Sequence, residues 1–240
     1  MNHSGANTFV TTRWTQVLAS RGNSEQARQA LSDLCAAYYA PVVTFLRSEG
    51  RNEETARELA HEFFARVLER QSLGGADPVA GRFRSYLLGA LKHFLANRRV
   101  RESRQKRGGQ ITHEPILNGT DTRVGIDIVD HSVSTPDKLF DREWAFSILK
   151  RALAVMRKDA VANGTLHQFQ ILKPWLTGEL GGRSQAQSAQ ELGISEGAAR
   201  AAVHRLRRRF RELVKAEIAQ TVNDPAEVAE EMRHLIEALT

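Results

Sequence analysis

Residues 184–211 read SQAQSAQELGISEGAARAAVHRLRRRFR. Ser184 and Gln187 have the spacing of a capping box, in which two side chains and two backbone amides bond reciprocally at the start of a helix. Gly193 suits the left-handed conformation that ends many helices, and Ser195 can cap a following helix. The pattern predicts two helices joined by a tight turn, as in a helix-turn-helix whose second helix enters the major groove of DNA.

Small and apolar side chains in this segment would let the two helices cross closely. They are Ala189, Leu192, Ile194, Ala199 and Val203. Residues 204–211 then hold five arginines, a density that suits a phosphate backbone. A helical hairpin with a solvated charged face is the alternative, but the coincidence of turn, caps and basic run favours DNA binding.

The composition indicates a protein that folds around hydrophobic cores and binds a polyanion. Of its 240 residues, 41% are hydrophobic, and the net charge is +6, with a pI near 9.8. Residues 98–107 hold six basic residues in ten, and such a run favours a polyanionic partner over a solvated face. Cys35 is the only cysteine, which excludes an internal disulfide and a cysteine-built zinc site.

Helical periodicity recurs along the chain, whereas strand-like alternation is scarce. We therefore expect an all-α fold class, with two small helical domains joined by a flexible linker. The expected divisions are an N-terminal extension at residues 1–23, a first domain at 24–109, a linker at 110–136, a second domain at 137–221 and a C-terminal helix at 222–240.

Several helix ends are also predicted from local sequence. Ser24 is expected to cap the first long helix, and Pro41 is expected to interrupt it. Pro174 and Gly178 are expected to end a later helix. Residues 224–227, DPAE, predict the start of the last helix, with the proline at its first position.

The sequence does not indicate catalysis or metal binding. His61 and Glu62 begin like a zinc-protease motif, but Ala65 stands where the second histidine belongs. We therefore expect no catalytic residue, no metal and no cofactor. Because we see neither a signal peptide nor a span of about 18 apolar residues, the expected location is the cytoplasm, with no membrane partner.

A second basic segment, residues 82–107, is a further candidate for nucleic-acid contact. Cations and aromatics alternate at its start, where Arg82, Phe83, Arg84 and Tyr86 stand. Guanidinium groups can follow a phosphate backbone, and aromatic faces accept unstacked bases. The alternative is core packing for Phe83 and Tyr86, which we favour for each aromatic taken singly, and a solvated face for the arginines.

Three motifs in this order resemble the bacterial RNA polymerase sigma factors of the extracytoplasmic-function group. ARELAHEFFARVLE at residues 56–69 is similar to the polymerase-binding helix of that group. GRFRSYLLGALKHFLANRR at 81–99 is similar to its promoter-melting segment, which reads the −10 element. LGISEGAARAAVHRLRRRFRELV at 192–214 is similar to its −35-reading module.

The resemblance implies a sigma factor with core RNA polymerase and promoter DNA as partners, and with an anti-sigma factor or another regulator as a further candidate. The implied polymerase-binding residues are Glu58, His61, Glu62 and Arg66. The implied −10 and melting residues are Arg82, Phe83, Arg84, Tyr86, Lys92, His93, Asn97, Arg98, Arg99 and Arg101. The implied −35 residues are Ser195, Glu196, Arg200 and His204 for base edges and Arg205, Arg207 and Arg208 for phosphates.

The sequence also departs from the pattern of that group. His61 stands where the group usually has glutamine, and His93 and Asn97 stand where asparagine and aspartate are common. The residues outside the two shared domains resemble a planctomycete-type variant. The linker aspartates, among them Asp121, Asp127, Asp130 and Asp137, would lie in the polymerase cleft by the same resemblance, or else belong to a solvated tether.

Two other classes of function stay open from the sequence alone. An operator-binding regulator would use only the helix-turn-helix and would act without core polymerase. A protein-interaction module would bind another protein, such as a kinase or an anti-sigma factor. The basic segment at residues 82–107 has no evident use in the first of these, which is why we prefer the sigma-factor interpretation.

Overall fold

The computed structural model describes residues 13–19, 24–69, 82–106, 135–178, 181–182 and 184–240. Helix accounts for 85% of this part of the chain, and it contains no strand, so the expected all-α class is confirmed. The helices are α1 (Arg13–Ala19), α2 (Glu25–Ser48), α3 (Glu53–Glu69), α4 (Phe83–Lys106), α5 (Pro136–Ala162), α6 (Leu166–Leu172), α7 (Pro174–Thr177), α8 (Gln185–Glu191), α9 (Glu196–Ala219) and α10 (Glu227–Leu239).

Some predictions fall on other parts of the chain. Most of the predicted N-terminal extension and most of the predicted linker, with Asp121, Asp127 and Asp130, lie outside the described residues. Within the described ranges, no helix is both long and apolar enough to cross a membrane.

The prediction that Pro41 interrupts the first helix is wrong. Ser24 caps α2 as expected, since its Oγ accepts a hydrogen bond from the Ala27 amide at 3.1 Å, but α2 then continues through Pro41 to Ser48. A proline inside a helix removes one backbone hydrogen bond and costs about 3 kcal/mol. Pro41, Val42 and Leu46 are all buried, and this burial offsets the lost bond.

Two later helix ends differ in detail from the predictions. α10 begins at Glu227 and not at Pro225, because the Asp224 carboxylate accepts from the Ala226 amide at 2.9 Å and closes a turn first. α6 ends before Pro174 as predicted, but Pro174 also opens the four-residue α7. Gly178 ends α7 in the left-handed conformation, with φ of 79°.

One hydrophobic cluster contains residues from both predicted domains. Phe140 of α5 packs on α2, with its ring centroid 6.3 Å from that of Tyr38 and 6.4 Å from that of Phe45. Trp144 of α5 is 1% exposed and belongs to the same cluster, as do Ile218 near the end of α9 and residues of α3, α4 and α10. The described parts of the two predicted domains therefore share a core in this structure.

Smaller clusters hold the helix-turn-helix on the rest of the molecule. Ile171 and Leu172 of α6 pack against Ala202 and Val203 of α9. A third cluster brings together Met156, Ala160 and Phe169 from α5 and α6. These contacts fix α9 over α5 and α6 and leave its first turns facing outward.

Cys35 provides a test of this core. The thiol is buried, and this burial raises its pKa from 9.0 to about 12. In the unfolded chain it titrates near the ordinary value, so above pH 9.0 the unfolded state loses the proton first and the free energy of unfolding falls until the folded thiol also ionises. We expect this loss across that range in urea titrations, and we expect Cys35→Ala to remove that part of the pH dependence. An equal slope in both proteins would contradict the burial of the thiol.

Candidate nucleic-acid interface

The caps and turn predicted for the helix-turn-helix are confirmed. The Ser184 amide donates to Oε1 of Gln187 at 2.8 Å, and the Gln187 amide donates to Oγ of Ser184 at 3.1 Å. Gly193 follows α8 with φ of 64°. The Ser195 Oγ accepts from the Ala198 amide at 3.2 Å and caps α9. Each of these caps joins a side chain to a backbone amide three residues away. The local sequence was therefore sufficient to predict them.

Alanines allow the close crossing of α8 and α9, because Ala189 and Ala199 are buried, at 3% and 1% exposure. Ile194, which was expected to join this contact, is instead 36% exposed. The sequence did not indicate the anchor that α7 supplies. Trp175 donates from Nε1 to the buried Ser188 Oγ at 3.3 Å, and it ties α7 to α8.

The predicted −35 residues lie exposed on the first turns and the outer face of α9. They are Ser195, Glu196, Arg200, His204, Arg205, Arg207 and Arg208. Arg207 donates from Nε and Nη2 to the Trp175 carbonyl at 3.3 and 3.2 Å, and Arg208 pairs with Glu212 at 3.1 Å. Arg200 and Arg205 have no ionic partner among the described residues. These two guanidiniums are therefore the most available to an incoming anion.

A groove of about 330 Å³ lies beside this face, between α5, α6 and α9. Arg205 and Arg209 line one side of it, and Arg209 pairs with Asp159 at 3.0 Å. The centre of the outer face of α9 is poor in groups that can hydrogen-bond, because residues 197–201 read GAARA. Arginine is bidentate to guanine in the best base contacts, so on bound DNA any base readout at this centre would depend on Arg200.

Replacing Gly193 and replacing Gly197 with alanine should change the free energy of unfolding in opposite directions. Gly193 has a positive φ of 64°, whereas Gly197 lies inside α9, and a Cβ at either position would meet no atom within 4 Å. Gly193→Ala should lower the free energy of unfolding by about 1 kcal/mol, because alanine is strained in the left-handed region. Gly197→Ala should raise it by about 0.5–1 kcal/mol, because alanine has the better helix propensity. Urea denaturation measures both changes, and equal signs would contradict the turn.

The predicted −10 residues of α4 divide into exposed and buried groups. Exposed positions are Lys92, His93, Asn97, Arg99 and Arg101, and partly exposed positions are Arg82, Tyr86 and Arg98. Phe83 and Arg84 are buried, at 0% and 8% exposure. The Phe83 ring lies 5.1 Å from the rings of both Trp14 and Tyr38. The prediction for Phe83 is therefore corrected, because in this conformation it is a core residue with no face to offer a base.

Arg98, in the basic run of α4, is paired with two carboxylates, one on α3 and one on α4 itself. Arg98 donates to Glu62 of α3 at 2.7 Å and to Glu102 at 2.8 Å, and Glu62 also pairs with Arg66. Arg98 therefore has balancing carboxylates, so the density of cations at residues 98–107 does not by itself require a polyanion at this position. Exposed pairs of this kind contribute about 0–1 kcal/mol each, so a polyanion could replace the carboxylates at little cost.

The same holds for the neighbouring cations on α4. Arg99 pairs with Glu49 at 2.6 Å, and Lys92 pairs with Asp137 at the start of α5, also at 2.6 Å. Arg101 has no ionic partner among the described residues. An anion could therefore bind Arg101 without displacing a described carboxylate.

The predicted polymerase-binding residues share one helix. Glu58 and His61 of α3 are exposed, and Glu62 and Arg66 are partly exposed. The Tyr39 hydroxyl of α2 lies 3.0 Å from Nε2 of His61, and the two rings stack with centroids 5.4 Å apart. The sequence did not indicate Tyr39 as part of this surface, because the contact joins two helices.

Arg84 stands at the centre of a buried ion-pair network. Its guanidinium donates to Asp141 at 2.6 Å and to both oxygens of Glu231 at 3.1 and 3.3 Å, and it lies 5.2 Å from the Trp144 ring. Burial acts to lower the pKa of Arg84, but the hydrogen bond and charge of Glu231, with Asp141, outweigh it, so the pKa stands above its ordinary value. The prediction that Arg84 contacts DNA does not fit this arrangement, because its donors are directed at these carboxylates.

The described residues define the protein as an all-α chain with an exposed helix-turn-helix and a second, largely ion-paired basic helix. Among those residues, no three His, Cys, Asp or Glu side chains form a group that could hold a metal ion. The chain matches no family model, no curated protein and no solved structure.

Proposed function

We propose that this protein is a sigma factor of the extracytoplasmic-function group, which binds core RNA polymerase and directs initiation at promoters with −10 and −35 elements. The observation that supports it most is the exposed, correctly capped helix-turn-helix on the same chain as a second basic helix. In this proposal residues 24–109 and 137–221 are the two promoter- and polymerase-binding domains, residues 110–136 are the linker, and the protein acts in the cytoplasm.

The first turns of α9 would read the −35 element in the major groove. Arg200 can bind guanine through two hydrogen bonds, and Glu196 can accept from the cytosine amino group. Ser195 and His204 can reach neighbouring base edges. The backbone contacts would come from Arg205, Arg207 and Arg208, which position the helix without specifying sequence. Because few side chains here can read bases, we expect backbone contacts to supply most of the affinity.

The exposed side of α4 would hold the −10 region and its displaced strand. Lys92, His93, Asn97, Arg98, Arg99 and Arg101 provide donors along this side. DNA phosphates would replace the carboxylates that now pair with three of these cations, an exchange that costs little at exposed positions. The neighbouring face of α3, with Glu58, His61, Glu62 and Arg66, would bind the polymerase.

Transcription in vitro tests this proposal directly. The purified chain is mixed with core RNA polymerase and a promoter library, and core binding and initiation are measured separately. We expect a complex with core enzyme and initiation from a subset of promoters. Absence of both core binding and initiation would overturn the proposal.

Arg101→Glu makes a sharper prediction about α4. Because Arg101 has no described ionic partner, its reversal should leave core binding intact while it weakens DNA binding across all sequences. The slope of log K against log salt should become shallower by about 1, as expected for a lost phosphate contact. Lys158→Glu is the control, since it makes the same charge change at an exposed position of α5. An equal effect of the two changes would contradict a specific role for Arg101.

One observation favours an operator-binding regulator as the second candidate. Phe83 and Arg84 of α4 are buried, whereas the predicted −35 residues of α9 are exposed. A protein that used only the helix-turn-helix would have this distribution. Such a regulator would bind specific duplex DNA without core polymerase, so the core-binding arm of the transcription experiment distinguishes the two. A protein-interaction module would bind neither duplex DNA nor core polymerase.

A further inference from the structure

Three carboxylates of α10 surround the arginine that precedes α4. Arg82 lies 2.5 Å from Glu230, 3.0 Å from Glu231 and 3.8 Å from Glu227, measured between guanidinium nitrogens and carboxylate oxygens. Glu230 and Glu231 lie three and four positions after Glu227, which places both near it on the helix surface. The same Glu231 also binds the buried Arg84. One terminal helix therefore neutralises both arginines of the RFR sequence at residues 82–84.

The contact between α10 and the two arginines is largely buried. Glu231 is 0% exposed, and the Arg82 side chain is 21% exposed. Arg84 is held from its other side by Asp141 of α5 at 2.6 Å. Carboxylates and phosphates both accept paired hydrogen bonds from a guanidinium. The α10 carboxylates thus hold the positions that phosphate oxygens of a nucleic acid would take.

α10 is a short helix that depends on its contacts with the rest of the molecule. It has 13 residues, a length at which an isolated helix is marginal. The Oε2 atom of Glu227 is buried and has no hydrogen-bond partner within the described part of the chain. Release of α10 would hydrate that oxygen. Leu235 and the partly buried Val228 and Met232, on the adjoining face of α10, pack on the shared core.

We propose that α10 is an autoinhibitory latch that covers a phosphate-binding pair, Arg82 and Arg84. In the closed chain Glu227, Glu230 and Glu231 take the place of nucleic-acid phosphates. When α10 leaves, Arg82 loses these three carboxylates and Arg84 keeps only Asp141, so donors of both guanidiniums become available at the start of α4. The inference rests on the proposed function in one respect, namely that the polyanion is DNA.

The first test weakens the latch without changing Glu231, the carboxylate that binds both arginines. The double variant Glu227→Gln with Glu230→Gln keeps Glu231 and the packing of α10. Its affinity for a fluorescein-labelled duplex of arbitrary sequence is measured against salt concentration. We expect a several-fold gain in affinity and a salt slope steeper by about 1, because Arg82 gains one phosphate contact.

A matched control removes the same amount of charge elsewhere. Glu25→Gln with Glu237→Gln also removes two carboxylates, both exposed, and neither pairs with a predicted DNA-binding residue. The control should show a smaller gain in affinity and an unchanged slope. If both double variants have the same slope, the gain reflects net charge alone and the latch is refuted.

The second test removes the latch. A chain that ends at residue 223 loses five carboxylates and one arginine, so its affinity for DNA rises through the change in net charge alone. The latch predicts in addition that the slope of log K against log salt steepens by about 2. Arg82→Gln in this short chain should take back about 1 of that increase. A synthetic peptide of residues 224–240, added in excess, should restore the slope of the full chain. A folded short chain with an unchanged slope would overturn the proposal.

Folding and function are separated by two further measurements. Circular dichroism shows whether the short chain retains its helices. If it does not, the salt slope of the Glu227→Gln, Glu230→Gln variant still tests the latch. Core polymerase binding is measured on the full chain in parallel. Loss of core binding with an intact latch effect would refute the sigma-factor proposal alone, whereas core binding with equal slopes would refute the latch alone.

Discussion

Replacing Glu231 with alanine is expected to lower the free energy of unfolding by about 3–5 kcal/mol. The change would leave Arg84, which is 8% exposed, with only Asp141 to balance it, and it would remove one of the three partners of Arg82. Removing one partner of a buried ion pair is costly because the remaining charge can neither return to water nor find a new partner. Urea denaturation followed by circular dichroism measures the loss.

Glu230→Ala is the matched control for this prediction. Glu230 is the preceding residue on the same helix and pairs with the same Arg82, but its side chain is 56% exposed. An exposed pair contributes about 0–1 kcal/mol, so the control should lose no more than that. If Glu231→Ala cost as little as Glu230→Ala, the buried network would not hold α10 in place.

A compensating pair of changes separates the charge from the packing. Glu231→Leu with Arg84→Met replaces the buried pair by apolar side chains of similar length. Such replacements are often neutral or stabilising, because the cost of removing the charges from water disappears. Arg82 keeps Glu230 and Glu227 in this variant. Asp141 loses its Arg84 partner in this variant, so we expect only part of the lost stability to return, and no recovery at all would contradict the role of charge at Glu231.

The helix-turn-helix shows which features the sequence could predict. Ser184, Gln187, Gly193 and Ser195 act on backbone groups within a few residues of themselves, so their roles follow from local spacing alone. The apolar stripe of α5, with Phe140 and Trp144, was also recognisable from its period. The helix that covers this stripe was not, because a period identifies a buried face and says nothing about its partner.

The basic segments show where sequence reasoning reached its limit. Residues 98–107 hold six cations and one acid, Glu102, yet Arg98 also pairs with Glu62, which is 36 residues away in sequence. Arg84 pairs with Glu231 across 147 residues. Ion pairs between residues so far apart cannot be predicted from local composition, because tertiary packing decides which charged side chains meet. The same limit applies to Pro41, which the core retains within α2 against its own backbone preference.

Trp144→Ala is expected to lower the free energy of unfolding by about 3–5 kcal/mol, the usual cost of removing a buried aromatic. Trp144 is 1% exposed, and its ring contacts the Arg84 guanidinium and the His234 ring. It belongs to the cluster that α2, α5 and α10 share. Phe146→Ala is the control on the same helix, since Phe146 is 37% exposed, and it should cost less than about 1 kcal/mol.

The same variant tests whether the shared core makes one cooperative unit. After Trp144 is replaced, the remaining tryptophans are Trp14, in the shared core, and Trp175, on α7 beside the helix-turn-helix. Fluorescence and circular dichroism should then report one coincident urea transition, because the core joins helices from both predicted domains. Two separate transitions would mean that the domains fold independently and that their contact is weak. A weak contact would let α4 and α9 separate to reach two spaced promoter elements, whereas one cooperative unit makes promoter binding depend on the free energy of opening the shared core.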